Sequence, residues 1–137
     1  MENNALQHQI ACVEEFHTAF GIENNQRPVA DLGLEAAMLR YELIREENEE
    51  YLEACRNKDI VEIADALGDQ LYILCGTILR HGLQHVIEEV FNEIHRSNMS
   101  KLGADGKPIY REDGKVLKGP DYFRPDIARI LSEKTGA

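Results

Sequence analysis

The stretch that most restricts what this chain can become runs from Ile60 to Leu79. Its only charged residues are Glu62, Asp65 and Asp69, and nearly everything else in it is apolar. A helix that is apolar almost all round belongs in an interior, covered on several sides. At about 100° of turn per residue, the three acids fall within about 60° of one another. They form one acidic stripe on a helix with few directions in which to meet water. Burying carboxylates without compensation is costly, or raises their pKa until they neutralise.

The preceding segment, from Leu32 or Leu34 to Arg56, is rich in Ala, Leu, Glu and Arg. It reads as a long helix with Asp31 as its N-cap. On the helical wheel Ala36, Ala37, Leu39, Leu43, Ile44 and Ala54 share a broad apolar arc. Glu47 and Glu50 fall inside that arc and Glu46 at its edge, whereas Glu42, Glu49 and Glu53 fall outside it and read as solvated. Asn57 and Lys58 break the helix, and Asp59 with Glu62 resembles a capping box that opens the next one. So short a link makes the two helices antiparallel neighbours. A Glu-rich run is ordinarily a solvated face, and Asp59 with Glu62 serves as a cap, but neither explains an inward acidic trio. A hard divalent cation does. Mg²⁺, or Mn²⁺, takes oxygen ligands, retains waters and bridges to phosphates. No EF-hand spacing is present for Ca²⁺. Carboxylates around an open, hydrated cation suit phosphoanhydride hydrolysis.

The remaining pattern completes an all-α chain. Leu6, Ile10, Val13, Phe16 and Phe20 give a first helix over Asn4–Phe20, and residues 21–31 read as a loop. Gly82 stops the third helix after Arg80 or His81. Val86, Ile87, Val90, Phe91 and Ile94 give a fourth over Gln84–Ser97. Asp113-Gly114 between Ile109–Arg111 and Lys115–Leu117 reads as a hairpin, and Pro125 opens a last helix over Asp126–Glu133. The expectation is a single domain over 1–137. It has an antiparallel four-helix bundle-like core at about 4–98 and a short basic hairpin and helix extension at about 99–137.

Charge then narrows function. Twenty-five Asp and Glu stand against 15 Lys and Arg, a formal net charge of −10. That disfavours a nucleic-acid polymer or anionic lipid as partner, and the lack of Trp leaves few stacking platforms. No signal peptide and no membrane span are read, and Cys12, Cys55 and Cys75 read as reduced thiols, so the expected location is cytoplasmic. Neither Cys55 nor Cys75 has a base placed beside it to make it a nucleophile. His81 and His85 have i, i+4 spacing, but Gly82 interrupts the helix between them. The cations Arg96, Lys101, Lys107, Lys115 and Lys118 cluster in one short stretch, which offsets the acidic body or closes over a polyphosphate. His17, with Phe16 and Phe20, reads as a core residue or as the wall of a base pocket.

Glu46-Glu47-x-x-Glu50 followed by Glu62-x-x-Asp65 resembles the EExxE…ExxD signature of the MazG-like, all-α nucleoside triphosphate pyrophosphohydrolases. Leu43–Ala54, Asp59–Leu83 and the Arg96–Leu102 segment (RSNMSKL) are similar as well. The tail from Asp113 to Ile127 resembles the phosphoribosyl-ATP pyrophosphohydrolase branch. The resemblance implies Mg²⁺-dependent cleavage between the α- and β-phosphates, giving a nucleoside monophosphate and pyrophosphate, with a role in clearing nucleotides. It implies Glu47, Glu50, Glu62 and Asp65 as metal ligands and Glu46 as a ligand or water-orienting base. Many relatives place the motif Asp directly before a Leu-Leu-Tyr-like run, which here would be Asp69, so Asp65 and Asp69 both stand. Asn98 and Lys101 match the family's phosphate-contacting segment after the fourth helix. Arg96, Lys118 and His17 stand beside them as candidate substrate-binding residues, and relatives are homodimers or dimer-like tetramers. Phosphoribosyl-ATP is the alternative substrate, and a non-catalytic divalent-ion-binding regulatory bundle is the alternative from another class.

Overall fold

The computed structural model describes residues 5–135. Among them the elements follow in the order α1 (Gln7–Ala19), α2 (Leu34–Arg56), α3 (Ile60–Arg80), α4 (Ile87–Met99), β1 (Ile109–Tyr110), β2 (Val116–Leu117) and α5 (Ile127–Thr135). The all-α expectation holds. Asn4, the expected start of the first helix, lies outside the described residues, and α1 is described from Gln7. No helix of the described residues is long and apolar enough to cross a membrane. The chain gathers into two compact units, the first ending at His85 and the second beginning at Val86.

In the first unit α2 and α3 meet through a tight turn. Lys58 adopts the left-handed conformation, φ 53°, where glycine is the usual residue. Its N–H donates to the Cys55 carbonyl and that of Asp59 to the Ala54 carbonyl, which closes α2. Asp59 then caps α3, its Oδ1 accepting from Val61 N and Glu62 N at 3.1 and 3.2 Å. Antiparallel pairing shows in the cross-ties. Arg40 near the start of α2 reaches Ile73 and Thr77 late in α3, whereas the Glu47 carbonyl accepts from Gln70 earlier in α3. Helix α1 contributes Ile10, Val13 and His17 to the interior beside Ala54, Ala66, Cys75, Ile78 and Leu79.

Two boundaries depart from expectation for identifiable reasons. Asp31 is not the N-cap of α2. That position is Gly33, at φ 84°, and Asp31 Oδ1 accepts from Gly33 N at 2.8 Å, so it orders the approach to the helix. The fourth helix begins at Ile87 instead of Gln84, because Gln84 is buried and holds the loop between α1 and α2. Its amide donates to the Asn25 carbonyl at 2.8 Å. The last carbonyls of a helix have no partner within it, and that loop supplies them. Asn25 N donates to Leu79 O, Asn25 Nδ2 to Arg80 O and Val29 N to His81 O. Gly82 leaves α3 at φ 67° with the Arg27 backbone packed where a side chain would stand.

In the second unit α4 and α5 pack through buried Ile130 and the ion pair between Lys134 and Glu89. Glu93, 5% exposed, is held from two directions. Its Oε1 accepts from Arg96 Nε and Nη2 at 3.1 and 2.8 Å, and its Oε2 from Asp126 N at 2.8 Å. Ser97 Oγ donates to the Phe123 carbonyl and Ser100 Oγ accepts from Phe123 N. The hairpin pairs Ile109 with Leu117 and Tyr110 with Val116, in agreement with the Asp113-Gly114 turn signal.

Candidate metal centre

The wheel positions of Glu47 and Glu50 turn both toward α3, and the antiparallel register brings Asp69 opposite them. One carboxylate oxygen from each of Glu47, Glu50 and Asp69 lies within 4.8 Å of the others. That is too close for three full negative charges without compensation. Glu47 takes the consequence. Burial first, then a hydrogen bond with Glu50, then the charges of Asp69, Glu50 and Asp65, push its carboxyl up to about 7 from an ordinary 4.5. Its Oε2 is buried with no hydrogen-bond partner among the described residues. A buried acceptor left without a donor is what a cation would satisfy.

Glu46 and Glu62 are exposed and stand outside this trio. The Glu62 main chain is engaged with the Asp59 cap. Asp65 is outside the trio too, yet close enough for its charge to act on Glu47. Of the two alternatives left open by the sequence, Asp69 is the one brought together with Glu47 and Glu50.

The other candidates fall elsewhere. His17 is 2% exposed, and its Nδ1 donates to Asn24 Oδ1 at 2.7 Å. A Cβ at Gly76 would stand 2.9 Å from His17 Nε2 and 2.5 Å from Arg40 Nη2, so the bare glycine is what lets these two side chains cross α3. Loss of water, then the charges of Arg40 and Arg80, hold the His17 imidazole below its ordinary pKa despite the Asn24 bond. Arg96, Asn98, Lys101 and Lys118 belong to the second unit. Arg96 is clasped by Glu93 and lies 4.9 Å from the Phe123 ring centroid, and Lys118 lies 4.8 Å from that of Tyr122. Both cations are thereby fixed on aromatic faces while staying open to solvent.

Two residues with evident work were not singled out from the sequence. Glu93 looks like any surface acid of an amphipathic helix. Its i, i+3 partner Arg96 was the available signal, but its burial comes from the Asp126 backbone, far along the chain. Arg40 lies only about 20° from Glu47 on the α2 wheel. A cation inside that arc was the sign that it ties helices together.

Comparison with known proteins agrees with the geometry. The profile described as phosphoribosyl-ATP pyrophosphohydrolase matches residues 13–98, which includes α2, α3 and the three clustered carboxylates. An uncharacterized protein of Acanthamoeba polyphaga mimivirus, L479, is 37% identical over 109 residues. That match covers 77% of this chain, and the chain spans only 40% of the relative's length. The chain thus belongs to the phosphoribosyl-ATP pyrophosphohydrolase family, within the MazG-like all-α pyrophosphohydrolase superfamily.

Proposed function

We propose that this chain hydrolyses the bond between the α- and β-phosphates of a nucleoside triphosphate or of phosphoribosyl-ATP, with a divalent cation, Mg²⁺ or Mn²⁺, at Glu47, Glu50 and Asp69. The observation that carries the reading is the unpartnered, buried Oε2 of Glu47 inside a trio of carboxylates drawn from two helices. The donor set is all oxygen, which suits a hard cation. Asp65 and Glu62 complete the acidic surroundings on α3, and Glu46 is the residue we assign to orienting the attacking water. A cation held there supplies neutralisation of polyphosphate charge and a more acidic water. Water adds to the α-phosphorus and the α–β bridging P–O bond breaks. Pyrophosphate leaves with the bridging oxygen, and the water's proton passes to a carboxylate or to solvent. Arg96, Asn98, Lys101 and Lys118 are proposed phosphate contacts on the strength of the resemblance.

Family membership supports both substrates equally. A pyrophosphate-release assay over natural and modified nucleoside triphosphates and phosphoribosyl-ATP, with Mg²⁺ or Mn²⁺, separates them. Glu47→Gln and Glu50→Gln are expected to fold and to lose turnover by at least about a hundredfold, through lost charge stabilisation. Near-normal rates in both would remove them from the site. Stabilisation by cation and nucleotide without pyrophosphate release would favour the regulatory bundle instead.

A further inference from the structure

His17 is a buried titratable side chain that the carboxylate trio does not use. Its Nδ1 carries a proton to Asn24 Oδ1, so in the neutral ring Nε2 is the bare nitrogen. Nε2 lies beside the space that Gly76 leaves open. A Cβ there would stand 2.9 Å from Nε2 and 2.5 Å from Arg40 Nη2. The base therefore faces a guanidinium across the width of one absent side chain. Arg40 Nη2 is fixed in that place by the Ile73 carbonyl, at 2.8 Å. A proton on Nε2 would sit against a permanent cation, out of reach of water.

The other groups around the ring offer little relief. From the end of α3 comes Arg80, whose charge is partly met by exposed Glu23 at 3.9 Å. Cys75, next to Gly76, is a thiol that burial keeps protonated. In the loop Asn24 is neutral, and on α1 itself Glu14 lies one turn before His17. Loss of water and the two arginines hold the ring below its ordinary 6.5, against the pull of the Asn24 bond.

The same residue is a fastener. The His17 carbonyl accepts from Ile22 N at 2.8 Å, and Asn24 is bonded to Nδ1. The residues that follow hold the end of α3, Asn25 N on Leu79 O and Val29 N on His81 O, at 2.9 Å each. A charged ring regains water only by leaving the space beside Gly76, and the segment tied to it leaves as well.

We propose that His17 is an acid-operated latch, in which a proton from solvent on Nε2 drives the ring away from Gly76 and Arg40 and releases residues 22–29 from the end of α3. Closure is complete above the ordinary histidine value and is lost as pH falls below it, because the open form takes up the proton more readily. The direction is opposite to that of the Glu47 carboxyl, whose proton uptake favours the folded chain as pH falls. The inference does not rest on the hydrolytic reading.

The test is amide hydrogen exchange on the full chain, with protection at each pH taken relative to an unstructured peptide, together with an NMR titration of the histidine rings. Between about pH 7.5 and about pH 5, protection of the Asn25 and Val29 amides should fall about fivefold or more. The Asp59 amide, in the α2–α3 turn, should change less. The His17 ring should take its proton below pH 6.5. His81 also holds Val29, but its Nδ1 donates to that carbonyl in either charge state, so it does not produce the fall. His17→Gln is neutral throughout and should abolish the pH response. Should it not fold, Arg40→Met decides. It keeps the ring and removes the facing charge, so the ring should titrate closer to 6.5 and the response should shrink. A His17 ring that titrates at or above 6.5 overturns the proposal. So does protection equal at the two pH values, or a fall that survives His17→Gln. None of these outcomes depends on whether pyrophosphate is ever released.

Discussion

At Glu47 one side chain carries the tension of the whole acidic cluster. In the folded chain its carboxyl keeps a proton up to about pH 7, whereas in the unfolded chain it loses it near 4.5. Between those values the folded state binds more protons, so its stability falls as pH rises through that window. A divalent cation at the trio would oppose the fall, since it favours the charged form that burial and the neighbouring acids disfavour. Magnesium is therefore expected to raise the melting temperature more at about pH 8 than at about pH 5, and Glu47→Gln should flatten the difference. Melting curves with and without Mg²⁺ at both pH values check this. An equal response to Mg²⁺ at the two pH values would separate Glu47 from cation binding.

Among the elements, α3 shows what the residues revealed and what they concealed. Its limits, its Asp59 cap and its Gly82 exit were legible, because propensity, capping and left-handed glycine are local effects. The inward turn of Glu47 and Glu50 was legible from periodicity. Which of Asp65 and Asp69 joins them was not. They lie only about 40° apart on the wheel, and the choice depends on how far α2 is offset along α3, which the Arg40 cross-ties and the Asn57–Asp59 turn set together. The start of α4 was misplaced because Gln84 looks helical until its tie to Asn25 is known. At the exit of α3, Gly82→Ala should cost at least about 2 kcal/mol, adding left-handed strain to a collision with the Arg27 backbone. Urea unfolding would measure it, and a loss below about 0.5 kcal/mol would show that the loop gives way easily.

On the scale of the molecule, the apolar surface left bare is the salient fact. The helix expected to be covered on several sides exposes Ile60 by 73% and Leu67 by 50%, with Leu71 and Leu74 also open, because α1 and α2 cover only part of it. Bare apolar area of this kind ordinarily marks an interface, and it supports the proposal of a homodimer or homotetramer. Sedimentation should accordingly give a multiple of the 15.6 kDa chain mass, and Leu67→Glu combined with Leu71→Glu should return the single-chain value. A wild-type chain that sediments alone would refute it. The cross-tie from Arg40 to Thr77 carries one more consequence. It lies at one end of the interval whose other end sets Glu47 against Asp69. Lengthening α2 by a single residue between positions 40 and 47 would swing the glutamate about 100° out of line, and the same holds between 69 and 77 on α3. Insertions and deletions in this lineage should therefore gather at the hairpin tip and in the loops, with both helical spans kept at constant length.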